Sequence, residues 1–464
     1  MVDKLTIYHA LPYPLRMAAA GLHGLRLQTT RYSRDTDKWV AESLAREHWT
    51  TAQWDAWQQE RLACTLWHAS KNIAYYRQQW DARRRSGDRA SVEELKNWPV
   101  LSKEIVRAQA RSFLADGVDL RAQIEEHTSG TTGTPLIFWM SRDSVRQWYA
   151  LTEARWRGWY GLSRHQRWGI LGGQLVAPYA QKQPPFWVWN AGMSQLYFSS
   201  YHLSPENIPA YLKAIQTHRL VYLLGYASSL YSLAQLALEQ NLVIPPLKAV
   251  ISNAEPLYAH QRETISRAFQ CPVYDSYGLS ENVCAASECL HGNLHLWPEV
   301  GITEILNEEN PSPTPAGQLG RIVCTGFLND TMPLIRYDVG DRGRLSLNTK
   351  CACGRRLPIL GEIEGRKDDV LVTRDGRRIG RLDPVFKTDL PIREAQIIQE
   401  SLDRIVVRYV PAAGFSAQDA EAFIARLRER IGNMDIAMES VQAIPRSANG
   451  KFRAVVSNLK GNTK

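Results

Sequence analysis

The sequence predicts an α/β protein, with a large N-terminal domain of mixed and parallel sheets followed by a small C-terminal α+β domain. Three observations predict it. The 464 residues exceed what one compact core holds, so length alone asks for two or three domains. From His127 onward short β-like runs alternate with helical stretches, the pattern of a sheet flanked by helices. Past residue 365 the chain turns charged and Gly-punctuated, then reads as hairpin, strand and helix.

Composition narrows the class. With 44% hydrophobic and 22% charged residues the chain is an ordinary globular one, which excludes wholesale disorder and coiled-coil or collagen-like arrays. The net charge of +9 suits anionic ligands without proving them. No groove-reading or aromatic ribonucleoprotein motif accompanies it, so a nucleic-acid partner is not expected. Fifteen tryptophans read as large core anchors.

In chain order, residues 5–27 resemble a signal sequence only superficially. Pro12, Pro14, Arg16 and His23 interrupt the apolar run. The segment reads as an N-terminal arm, with an interfacial helix as the alternative. No run reaches the ~18–20 apolar residues of a membrane span, so a cytoplasmic protein is expected. Its seven cysteines are then expected to be reduced, with Cys64, Cys271 and Cys324 in the core. Residues 37–115 read mainly as helices, and Arg83-Arg84-Arg85 as a solvated corner. Ser102-Lys103-Glu104 marks a strand end entering a helix. Residues 221–224, 249–252 and 273–274 read as strands, and 228–240 and 259–269 as helices between them. After the Pro-rich connection at 311–315 comes a β-rich stretch at 320–325. Asp375-Gly376 is a hairpin turn signal, followed by a strand at 404–410 and a helix at 417–431. The boundaries expected are 1–115 for a helical arm, 116–364 for the α/β core and 365–464 for the C-terminal domain. That last segment holds 18 basic and 13 acidic residues from Arg366 on, hence +5 of the +9.

Five motifs carry chemistry. In His127-Thr128-Ser129-Gly130-Thr131-Thr132-Gly133-Thr134-Pro135, glycines let backbone N–H groups approach a phosphate while hydroxyls add donors. The lysine and spacing of a Walker loop are absent, and the same composition also serves a plain surface loop. Asp275-Ser276-Tyr277-Gly278-Leu279-Ser280-Glu281 sets carboxylates at a strand-end turn, suited to Mg²⁺ beside phosphates. Arg336-Tyr337-Asp338-Val339-Gly340-Asp341 offers an acid that can accept both hydroxyls of a ribose. Gly365-Arg366-Lys367-Asp368-Asp369 lies at the domain joint, and Pro445-Arg446-Ser447-Ala448-Asn449-Gly450-Lys451 presents one lysine on a turn.

In this order and spacing, across roughly residues 95–455, the five resemble the adenylate-forming superfamily of acyl-CoA ligases, peptide-synthetase adenylation domains and luciferases. The best match is the phenylacetate–CoA ligase-like branch, especially its capsule-biosynthesis (CapK-type) members, which likewise read T-S-G-T-T-G-x-P. The resemblance implies a large adenylate-forming domain capped by a mobile lid. It implies ATP-dependent activation of a carboxylic acid, aryl or otherwise apolar, as acyl-adenylate, then transfer to coenzyme A. Alternatives are transfer to an amine or sugar acceptor in polysaccharide tailoring, or a nucleotide-binding relative without the chemistry.

Residue by residue, Thr128, Ser129, Gly130, Thr131, Thr132 and Gly133 would wrap the ATP phosphates. Asn253, Ala254, Glu255 and Pro256 would flank the adenine, with Tyr277 near it, on a turn shared with Asp275, Gly278 and Ser280. Glu281 would ligate Mg²⁺, Asp341 would bind ribose, and Arg366 would contact ribose or phosphate. Asp368 would be the hinge, and Lys451 would reach the carboxylate and α-phosphate. Trp187, Trp189, Tyr226 and Ala227 would line the acid pocket. His165 and His202 read as structural.

Separately, Cys289-x₅-His295 with Cys351-x-Cys353 supplies three sulfurs and one nitrogen, the ligand set of a closed, structural Zn²⁺ site. His291 and Cys284 compete as ligands. The resemblance strengthens this reading, since zinc-containing members of the branch are similar here. The expected partners are thus ATP, Mg²⁺, Zn²⁺, a small carboxylic acid and coenzyme A or another acceptor; a homodimer stays open.

Overall fold

The computed structural model describes residues 4–128, 136–178, 180–366, 371–374, 378–379, 390–432, 434–447 and 451–459. A helical arm comes first: α1 (Lys4–Ala10), α2 (Tyr13–Arg31), α3 (Thr36–Arg46), α4 (Thr51–Asn72), α5 (Ala74–Arg85) and α6 (Lys103–Ala108). Local chemistry fixes its starts. Thr50 and Gln53 form a reciprocal capping box on α4, and Ser102 Oγ accepts the Ile105 N–H to open α6. The corner arginines are more engaged than their run of charge suggests. Arg83 donates to Asp88, and Arg84 to the Asp88 and Ala90 carbonyls.

A hairpin of β1 (Ile124–His127) and β2 (Ile137–Met140) leads into α7 (Arg142–Thr152). A six-stranded sheet follows, built from β3 (Trp168–Gly172), β4 (Trp187–Asn190), β5 (Gln195–Ser199), β6 (Tyr222–Tyr226), β7 (Ala249–Asn253) and β8 (Val273–Tyr274). Its order is β4-β5-β3-β6-β7-β8, parallel except for the edge strand β4. Helices α8 (Ile208–Thr217), α9 (Ala227–Glu239) and α10 (Ala259–Phe269) bury one face of it around Leu223, Val250, Leu230 and Ile265.

The second large sheet is antiparallel throughout and with the parallel sheet gives the domain the mixed pairing expected. It comprises β9 (Ser276–Gly278), β10 (Ala285–Glu288), β11 (Leu294–Leu296), β12 (Gly301–Leu306), β13 (Gly320–Gly326), β14 (Tyr337–Leu345) and β15 (Ile359–Arg366). The arm packs on it through Trp98, Phe113, Tyr76 and Leu101, and Arg336 locks the two together. Arg336 is buried, pairs with Glu304 and donates to the Trp98 carbonyl at 2.8 Å.

In the C-terminal part, β16 (Leu371–Val372) pairs with β17 (Arg378–Ile379); the Asp375-Gly376 turn lies outside the described residues. A four-stranded sheet of β18 (Ile392–Gln399), β19 (Arg404–Pro411), β20 (Asp435–Ser440) and β21 (Val455–Ser457) carries helix α11 (Ala417–Ile431) over its own core of Ile397, Val407, Phe423 and Leu427. Cys271 and Cys324 are buried as expected, but Cys64 is exposed: it sits on the outer face of α4. Among the described residues no helix is long and apolar enough to cross a membrane.

Candidate active site and metal centre

In a parallel sheet, ligand sites form beyond the carboxyl ends of the strands. The loop after β7 supplies Asn253, Ala254, Glu255 and Pro256 there. Ala254 has φ +64°, a left-handed conformation rare for a residue with a Cβ, so the turn is held against local strain. The Glu255 carboxylate spans two backbone donors, Ser228 N–H at 2.9 Å in the first turn of α9 and Phe452 N–H at 2.6 Å in the C-terminal domain. Burial pushes its carboxyl above the ordinary range, while those donors and Arg446 pull the other way. Next to Phe452, the Lys451 ammonium stands 5.9 Å from the centre of the Tyr226 ring. Its carbonyl accepts from the Ser447 N–H and hydroxyl, which fixes the turn. Burial, then the Glu255 charge, pushes the Tyr226 phenol up to about 12.

The second cluster lies on the antiparallel sheet, where helix α6 of the arm meets it. Tyr277 donates to Asp341 Oδ2 at 2.7 Å, and Asp341 faces Arg366 across the β14–β15 ladder. Glu281 is buried; its Oε1 accepts from Tyr337 OH at 2.9 Å and from Lys103 Nζ at 3.2 Å. Sequence reasoning missed both partners. Lys103 showed only as a helix start, although a lysine immediately after the Ser102 cap was a visible signal.

Thr128 is buried and closes the stem of the hydroxyl-rich loop, its Oγ1 accepting the Leu136 N–H at 2.9 Å. Ser129, Gly130, Thr131, Thr132, Gly133 and Asp368 lie outside the described residues, and of Arg366 only the backbone is described. Asp275 is held within its own turn. Its carboxylate accepts the Ser276 N–H, and its own N–H donates to Glu288 at 2.6 Å. Burial, reinforced by Glu288, pushes its carboxyl up to about 7. These contacts hold the β8–β9 turn. Gly278 and Ser280 are exposed beside it.

The pocket assignments divide. Tyr226 stands at the carboxyl end of β6, beside Lys451. Ala227 is fully buried in the first turn of α9. Trp187 packs on Phe198 and Tyr211, and Trp189 stacks on His218 with Arg167 on its ring. Arg167 precedes β3, so Trp189 sits at the opposite end of the sheet from the site. Both tryptophans finish an edge strand, which gives an apolar run the same look as a pocket wall. His202 is structural, as read: buried, 2.8 Å from Ser199 Oγ and 3.1 Å from the Pro178 carbonyl.

Cys289, His295, Cys351 and Cys353 bring their ligand atoms within 4.8 Å of one another. Cys289 and Cys351 sulfurs are 3.5 Å apart, too far for a disulfide. Cys353 Sγ lies 3.4 Å from His295 Nε2. His295 Nδ1 is 3.1 Å from the Leu357 carbonyl, which takes its N–H and leaves Nε2 toward the sulfurs. His291 and Cys284 are not in the cluster; Cys284 lies against Thr303. A tetrahedral ion with bonds of about 2.0–2.3 Å sets ligand edges of roughly 3.4–3.8 Å, so the four side chains fit Zn²⁺.

Residues 371–458 match the CapK C-terminal domain family. The chain is 25% identical over 403 residues to Protein CapK of Staphylococcus aureus, covering 85% of this chain and 87% of that protein. It is 25% identical over 330 residues to the phenylacetate-coenzyme A ligase of Escherichia coli (strain K12), covering 69% and 72%. Among solved structures, 2-hydroxyisobutyryl-CoA ligase in the postadenylation state aligns with TM-score 0.69 at 21% identity, over 89% of this chain and 92% of that one. The same enzyme in its thioesterification state aligns at TM-score 0.53. The C-terminal residues match the CapK family, the relatives over most of the chain are CapK and phenylacetate–CoA ligases, and the fold is that of an acyl-CoA ligase, so the chain is similar throughout to CapK and phenylacetate–CoA ligases.

Proposed function

We propose that this protein activates a carboxylic acid with ATP and passes the acyl group to coenzyme A. A carboxylate oxygen attacks the α-phosphorus and the bond to pyrophosphate breaks, giving an acyl-adenylate. A thiolate then attacks the acyl carbon and AMP leaves. The observation that carries the reading is the position of Lys451. The C-terminal domain holds it, through Phe452 and Glu255, over the carboxyl end of the six-stranded sheet beside Tyr226. One ammonium there offsets charge developing between carboxylate and α-phosphate. Tyr277 orients Asp341 to accept ribose hydroxyls. The residues fit Mg²⁺, which when bound neutralises phosphate oxygens: Glu281 is a hard oxygen ligand whose carboxylate Tyr337 and Lys103 orient. The Cys289, His295, Cys351 and Cys353 set would hold Zn²⁺ with no open position, as a brace between the β10–β11 turn and the loop before β15.

A second acceptor class has its own support. The likeness to the staphylococcal CapK spans 85% of the chain against 69% for the E. coli ligase, which favours weighing a sugar or amine acceptor. Pyrophosphate release from MgATP across aryl, fatty, hydroxy and amino acids, with and without coenzyme A, tests both. Release requiring acid and coenzyme A supports the ligase. Release with acid alone, trapped by hydroxylamine, supports another acceptor. ATP binding with no release on any acid overturns the enzymatic reading.

A further inference from the structure

Helices α1 and α2 have two unlike faces. One is built into the body. Gly24 lies so close to Asn190 that a Cβ would meet its Oδ1 at 1.6 Å, and a Cβ on Gly192 would meet the Leu25 nitrogen at 2.5 Å. Arg16 is buried and donates to Gln181 Oε1 at 3.1 Å; Tyr8 OH donates to the Val176 carbonyl at 3.2 Å.

The other face is apolar and open. Among the described residues eleven large hydrophobics are exposed, and four of them, Ile7, Leu15, Leu22 and Leu25, fall on these two helices at 53–70% exposure. That density marks a patch and not scatter. At ~100° per residue Leu15 and Leu22 differ by about 20°, with Leu25 about 60° beyond, so the leucines form one stripe opposite Gly24. Exposed Leu175 extends it: His9 Nε2 lies 2.8 Å from the Leu175 carbonyl, on the segment that leaves β3 toward the active site.

The charge around the stripe has one sign. The two helices carry no acidic residue and four basic ones, Lys4, Arg16, Arg26 and Arg31, while Arg34 lies beyond them beside exposed Asp35. Arg16 and Arg31 are turned inward, Arg31 over the Tyr149 ring, while Arg26 and Arg34 are exposed. Arg26 falls about 40° from Leu22 around the helix. A two-fold contact between copies would set the Arg26 cations against each other with no acid on the two helices to offset them. A negative surface neutralises them instead.

We propose that α1–α2 is an interfacial docking element for an anionic lipid surface. The leucine stripe seats at the headgroup–acyl boundary, Arg26 contacts lipid phosphates, and the segment at 173–178 is brought to the membrane. The test is co-sedimentation of the full chain with vesicles of phosphatidylcholine alone and of phosphatidylcholine mixed with phosphatidylglycerol. Binding is expected on the anionic vesicles only, falling as salt rises. Leu22→Ser should weaken it roughly tenfold, and Leu15→Ser/Leu22→Ser/Leu25→Ser should abolish it. Arg26→Glu should weaken it by roughly fivefold or more. All three variants replace exposed side chains, so an unchanged melting temperature confirms that folding is intact. Absence of binding to anionic vesicles overturns the proposal, as does binding that survives in the triple variant. A dimer in light scattering that Leu22→Ser dissolves also overturns it and makes the face a self-association surface.

Discussion

The Phe452 N–H donates to Glu255 Oε1 at 2.6 Å, joining the residue next to Lys451 to the loop that closes the parallel sheet. Because the same carboxylate accepts Ser228 N–H in the first turn of α9, it ties the C-terminal domain to a helix N-terminus. Glu255→Ala removes both acceptors. It should slow acid-dependent pyrophosphate exchange about tenfold, the scale of one charge-assisted hydrogen bond, and leave thiolysis of a supplied acyl-adenylate unchanged. Equal losses in the two half-reactions would assign Glu255 to substrate binding instead.

Lys451→Ala should reduce pyrophosphate exchange by roughly 10²–10³, the cost of one electrostatic contact to the transition state. ATP binding by calorimetry should persist, since the contacts of Tyr277, Asp341 and Glu281 are untouched.

Glu281→Gln keeps the shape of the carboxylate but removes the charge that faces Lys103. We expect a Mg²⁺ requirement shifted to higher concentration and a rate loss of about 10²-fold. Lys103→Met, which leaves the metal ligand in place, should cost at most about tenfold. Titration of activity against Mg²⁺ separates the two.

Elemental analysis of protein purified without chelator should find one zinc per chain. Cys353→Ser should lose it and lower the apparent melting temperature by roughly 5–10 °C. Full stability in a zinc-free variant would mean that the cysteines pack without a metal.

Asp275 sets a pH dependence of stability. Its folded pKa, about 7, lies above the ordinary carboxylate value, so the folded state holds a proton that the unfolded chain has released between about pH 4 and pH 7. The stability it contributes is therefore present at low pH and lost as pH rises through 7. Asp275→Asn should raise stability at pH 8 by roughly 1–3 kcal/mol and change little at pH 4. Melting curves at the two pH values read the difference.

How legible the protein was depended on whether a signal was local. Strand–helix alternation gave β6, β7, α9 and α10 to within a few residues, because each carries its own period and punctuation. The antiparallel sheet was largely hidden: β9–β11 are only three or four residues long, and every residue of β10 is buried, so burial erases the alternation that would reveal it. The Cys/His cluster could be read from residue type, but the choice of His295 over His291 needed the β10–β11 pairing that turns His295 inward. Trp189 stacks on His218 toward the amino end of the sheet, a placement that aromatic content alone does not reveal. Lys103 and Glu281 are 178 positions apart, and only the fold brings them together.

A consequence for the order of folding follows from Glu47. Its carboxylate accepts from Arg155, from Trp159 Nε1 at 2.6 Å and from Arg355 at 2.7 Å, and its carbonyl accepts the Arg356 N–H. One buried side chain near the start of the chain thus collects segments more than 300 positions downstream, beside Cys351 and Cys353. Loop closure over that distance comes late, so the arm waits half-docked during synthesis until the cysteine loop emerges. The last event in maturation is then the capture of a nascent N-terminus by its own distant cysteine loop.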